Sequence, residues 1–148
     1  MSCIFAGLPH NGIVMAYEVE FTTRVTVVDP EIYINDCCWG ADVLRDRLLP
    51  MVSTTIPYNS VKIGQEDWGW FIWMRLGNEL TRIHIQCDDK EAGAFRIHVF
   101  SSKKRWLLWK DIDTPDVERV NEVTMREIKK WGTIKRVQRF TPDFMTEL

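Results

Sequence analysis

With 148 residues, 45% of them apolar and 27% charged, the chain can bury the interior of one compact domain and is too apolar for intrinsic disorder. A net charge of −2 excludes a whole-molecule pull toward nucleic acid or an anionic membrane. No stretch has the roughly 20 apolar residues of a membrane-spanning helix, so no membrane partner is expected.

The charge is uneven. Residues 1–70 carry 4 basic and 9 acidic side chains, whereas residues 71–148 carry 15 and 12. Pairing of the acidic half with the basic half across one fold accounts for this without a ligand. Four cysteines (Cys3, Cys37, Cys38, Cys87) form no disulfide framework, and free thiols in a reducing, cytoplasmic compartment are expected.

Residues 1–14 are nearly uncharged, lack a basic start and are interrupted by Pro9, His10, Asn11 and Gly12. They read as a loosely ordered lead-in rather than a secretory signal. Met15, just ahead of the first strand pattern, offers an alternative translation start. A single domain is expected over 15–142, with a frayed tail at 143–148.

From Tyr17 to Val28, apolar and polar residues alternate as in a strand with one face buried, until Asp29-Pro30 stops it. A helix is predicted from about Gly40 to Leu49, with Ala41, Leu44 and Leu48 on one side and Pro50 as its break. Residues 51–66 read as a long connection holding a short strand at Ser60–Ile63.

Three β-prone runs follow: Trp68–Leu76, Leu80–Cys87 and Ala94–Phe100. Gly77-Asn78 between the first two is a tight hairpin signal, so the three form an antiparallel meander. Residues 103–109 either extend the third strand or form another. A helix is then predicted from Thr114 as N-cap and Pro115 as first residue to Gly132 as stop, with Val117, Val120, Thr124, Ile128 and Trp131 on its inner side. A last strand covers Ile134–Phe140.

The order β-α-β-β-β-α-β predicts an α+β two-layer sandwich, an antiparallel sheet of four to six strands with two helices on one face, distantly ferredoxin-like. Parity puts Trp68, Trp70, Ile72 and Met74 under the helices. Phe71, Trp73, Arg75, Arg82, His84, Arg96, His98 and Phe100 then face the open side, with Glu18 and Glu20 beside them.

Rings interleaved with arginines on an open sheet suit a protein partner, a second copy of the chain, or single-stranded nucleic acid. The glutamates, as cross-strand partners of the arginines, and the net charge disfavour nucleic acid. The leading expectation is a non-catalytic protein-interaction module, possible as a homodimer, using Phe71, Trp73, Arg75, Arg82, His84, Arg96 and His98. The alternatives are a single-stranded nucleic-acid binder through the same face, and a small enzyme using Glu66 or Asp67 with His84 or His98. No metal or cofactor is expected: two histidines make half a zinc site, Cys87 has the opposite parity to His84, and Cys37-Cys38 lacks the spacing for two ligands. No phosphate loop, dinucleotide turn or nucleophile elbow occurs.

Glu66-Asp67-Trp68-Gly69-Trp70 resembles a box shared by a group of small uncharacterised bacterial proteins. The likeness is tightest over those five residues and looser through about Trp131. It implies no activity, cofactor or partner.

Overall fold

In the computed structural model, residues 16–111 and 114–140 are described. The lead-in 1–14, the start at Met15 and the tail 143–148 lie outside them. The first strand, β1 (Ala16–Thr23), follows its alternation: Tyr17, Val19 and Phe21 are buried in the main core. It ends five residues before the expected Val28. There Thr23 donates its backbone N–H to the Gly93 carbonyl (2.9 Å) and its hydroxyl to the Trp131 carbonyl (2.9 Å), and the chain leaves the sheet.

Helix α1 (Ala41–Ser53) buries Ala41, Leu44, Leu48 and Val52, and it runs through Pro50 instead of stopping there. The bond that proline removes would have served the Asp46 carbonyl, and Asp46 and Pro50 are both on the solvent side. Beyond the proline, the buried Val52 anchors the last turn. The hydroxyls of Thr54 and Thr55 donate to the Pro50 and Met51 carbonyls and satisfy helix-end acceptors.

The meander is larger than its sequence signals. It comprises β2 (Ser60–Glu66), β3 (Gly69–Leu76), β4 (Glu79–Asp89), β5 (Ala94–Arg105) and β6 (Leu108–Asp111). Gly77-Asn78 forms the two-residue turn between β3 and β4, with Leu76 opposite Glu79 and Gly77 at φ 57°. Residues 103–109 do both things foreseen: β5 continues to Arg105, and β6 returns against it.

Helix α2 (Pro115–Trp131) begins as predicted, the Thr114 side chain accepting the Val117 N–H (3.3 Å). Val117, Val120, Thr124 and Ile128 are buried beneath it and Trp131 packs at the core's edge. β7 (Gly132–Phe140) follows at once.

Six strands lie side by side in the order β2-β3-β4-β5-β1-β7, every neighbouring pair antiparallel, and β6 pairs with the far end of β5. Both helices pack on one face, giving the expected α+β sandwich. After β6 has returned along β5, helix α2 leads to β7 on the other side of β1; β5 and β7 are both antiparallel to β1. Under the helices, Phe95 stacks between Phe21 (6.1 Å) and Trp39 (6.4 Å), and Ile72, Met74, Ile83, Ile85, Ile97 and Val99 have no exposed surface.

Two further sequence expectations fail. Cys37 is in a disulfide rather than a free thiol, while Cys38 and Cys87 are buried thiols. Trp68 precedes β3 instead of belonging to it, and it packs with Phe71 on the face away from the helices. Gly69 is the cause. Its φ of 150° breaks the alternation, and a Cβ there would sit 2.2 Å from the Ile85 carbonyl oxygen, so the backbones of β3 and β4 touch where a side chain would stand.

Gly69→Ala should therefore lower stability by about 3 kcal/mol or more in urea denaturation. Gly77→Ala also has a positive φ but meets nothing within 4 Å, and should cost only about 1 kcal/mol.

Candidate binding face

The face away from α1 and α2 is built in cross-strand rows. Lys62, Trp73, Arg82 and Phe100 form one; Gly64, Phe71, His84, His98 and Glu18 form the next; Gln86, Arg96 and Glu20 form the third. All eight residues expected to point to this face do so, because period-two alternation holds from Gly69 onward in β3, β4 and β5.

Their exposure differs from the expectation of an open surface. Arg75 is exposed and Trp73, Arg82 and Arg96 are half-buried, but Phe71, His84, His98 and Phe100 are buried. His84 keeps only 3% of its surface and His98 only 8%. Part of this covering comes from local side chains. The Trp68 ring stacks on His84 at 4.1 Å, and the Phe71 ring lies over Gly64, within 2.6 Å of where a Cβ would be. Phe100 meets His84 edge-on at 4.9 Å and His98 at 5.4 Å. The centre of the face is a second small core of rings.

Sequence reasoning missed Trp68 and Lys62. The signal for Trp68 was the glycine after it. For Lys62 it was the register, which needed all of β2 to be read as a strand.

At the β2–β3 side the face is more accessible. Trp73 stacks on Phe71 (4.3 Å), with the Lys62 ammonium 5.7 Å and the Arg82 guanidinium 5.4 Å from its ring centre, both within cation–π range. Its indole N–H donates to His84 Nε2 at 3.2 Å. That bond needs a lone pair on Nε2 and so places the proton of neutral His84 on Nδ1.

At the β1 side, Arg96 is enclosed by carboxylates. It reaches Glu18 (2.6 Å), Glu20 (3.3 Å) and Asp88 (3.1 Å). Three acidic partners leave this guanidinium little attraction for a phosphate.

The histidines are held neutral. Burial, then the neighbouring His98 and Arg82, push His84 well below the ordinary imidazole range. Burial, then Arg96, lowers His98 to about 4. Glu66 and Asp67, the carboxylates of the catalytic alternative, are exposed beside Trp68. Two surface grooves have volumes of about 670 and 500 Å³, the first sharing Asp88 with the Arg96 cluster. Asp36, Asp88, Asp89 and Glu91 line one, and Glu79, Lys103, Asp116 and Arg119 line the other; neither includes a histidine. Among the described residues no group of three or more ligand-type side chains is placed to hold a metal, and no helix is long and apolar enough to cross a membrane.

Comparison with known proteins finds no matching family model, no matching curated protein and no matching solved structure.

Because both imidazoles are neutral when folded and ordinary when unfolded, acid favours the unfolded chain. Their contribution is intact above pH 6.5, falls as pH drops through that value, and for His98 levels off below about 4. Between about pH 7 and about pH 5 the loss should be about 2 kcal/mol from His98 alone. His98→Gln should flatten that slope when urea midpoints are compared across the range, even if the variant is less stable at every pH.

Proposed function

We propose that the chain is a non-catalytic interaction module that binds a protein partner, or a second copy of itself, through the β2–β3–β4 side of the face away from α1 and α2. The observation that carries this reading is Trp73, half-exposed between Lys62 and Arg82 with Arg75 beyond it. Tryptophan and arginine are frequent interface anchors, since each offers large contact area with directional bonding. The buried ring cluster behind Trp73 supports it as a rigid platform, so little ordering accompanies docking. Relative to the sequence expectation, the contact centres on Trp73, Arg75 and Arg82, with Phe71, His84 and His98 as its support.

The nucleic-acid alternative keeps the rings and Arg82 but loses Arg96 to Glu18, Glu20 and Asp88. The enzymatic alternative gains nothing from the two grooves described, neither of which joins a carboxylate to His84 or His98. A ferredoxin-like relation is part of the proposal, supported by β1 lying between β5 and β7, with β6 and α2 between those two strands in the chain. So is a cytoplasmic location. The buried thiols of Cys38 and Cys87 favour it, and the disulfide at Cys37 is the observation against it.

If the partner is a second copy, light scattering should give a mass above 17.4 kDa that returns to monomer in Trp73→Glu. If it is another protein, Trp73→Glu and Arg82→Ala should each weaken the complex at least about tenfold in titration calorimetry. Salt-sensitive binding of a single-stranded oligonucleotide, lost in Arg82→Ala with Arg96→Ala, would instead support the nucleic-acid reading.

A further inference from the structure

The β5–β6 hairpin contradicts two folding preferences at once. Its two-residue turn, Trp106-Leu107 between Arg105 and Leu108, calls for residues tolerant of positive φ, such as Asn-Gly, yet Trp106 occupies φ 59°. Burial is also forgone: Trp106 is 95% exposed, Leu107 89% and Leu108 76%. Among the described residues β5 continues beyond Phe100, its last partner position with β1, and beyond Lys103, its last with β4; Lys104 still donates its N–H to the Asn78 carbonyl (2.7 Å), and the tip past it projects. The three apolar side chains therefore cap a convex projection. Lys103, Lys104, Arg105 and Lys110 flank them in sequence, and residues 103–110 include no acidic residue.

We propose that this hairpin is a membrane-surface anchor that inserts Trp106, Leu107 and Leu108 into the headgroup–acyl boundary of an anionic bilayer. A convex apolar tip finds little complementary surface on a folded protein unless a pocket receives it, whereas a fluid interface accommodates it directly. Tryptophan favours that depth because its ring is apolar and its N–H polar. The flanking cations meet anionic headgroups over a Debye length, so a net charge of −2 on the whole molecule does not cancel the local attraction. Insertion of a tip is a different physical event from spanning, and needs no long apolar helix. Strain held at Trp106 fits a residue kept for a contact outside the fold.

Co-sedimentation of the full chain with phosphatidylcholine vesicles, with and without about 30% phosphatidylserine at about 0.1 M salt, tests this. At least about fivefold more protein should pellet with the anionic vesicles, and the difference should shrink as salt rises. Leu107→Glu and Trp106→Gly should each reduce pelleting to the neutral-lipid level. Trp106→Gly should also keep or raise the melting temperature, since glycine relieves the positive φ, which separates loss of the tip from loss of the fold. Trp73→Glu should leave pelleting unchanged, so this inference and the sheet-face reading fail independently. Equal pelleting on both vesicle types, or wild-type pelleting by Trp106→Gly and Leu107→Glu, overturns the proposal. So does a wild-type protein that stays in the supernatant with both vesicle types.

Discussion

One backbone contact sorts the aromatic residues of this chain. At Gly69 the β3 backbone lies directly against the Ile85 carbonyl of β4, and the φ of 150° that allows it shifts the alternation by one step. Downstream, Trp70, Ile72 and Met74 go to the helices. Upstream, Trp68 goes to the other face and covers His84. A side chain at position 69 would push the strands apart and disturb the seat of Trp68 on His84.

The two faces of the sheet are consequently stabilised by different physics. Under α1 and α2 the contacts are aliphatic and phenyl surfaces removed from water. On the other face, rings stack on a neutral imidazole, an indole N–H finds an acceptor, and one guanidinium gathers three carboxylates. In such a layer the polar groups must be matched one by one. The Trp73 hydrogen bond ties that matching to the most accessible ring of the face.

Much of the architecture was legible because period and punctuation agreed. Thr114-Pro115 and Gly132 bound α2 as expected, Gly77-Asn78 made the hairpin, and the strand register puts the residues that parity assigned in β3, β4 and β5 on their expected faces. Failures came where tertiary contacts outweigh local preference. A fully buried Val52 and two threonine hydroxyls carry α1 past Pro50. Trp68 looked like core because alternation was extended back through a glycine whose backbone conformation no pattern encodes. Exposure was the hardest property to foresee: parity says which face a side chain points to, and is silent on whether a neighbour such as Trp68 lies across it.

The position of β1 bears on how the molecule is made. Its edges are filled by β5 on one side and β7 on the other, and the Thr23 hydroxyl reaches the Trp131 carbonyl across 108 residues of chain. During synthesis the meander β2–β5 can pair locally as it emerges, while one side of β1 stays unsatisfied until α2 and β7 have left the ribosome. Closure of that long loop carries the larger entropic barrier, so the domain belongs with slow, topologically non-local folders. A nascent chain paused before β7 would present the Val19 and Phe21 strand with an open edge, the state in which chaperone capture or mispairing is most probable.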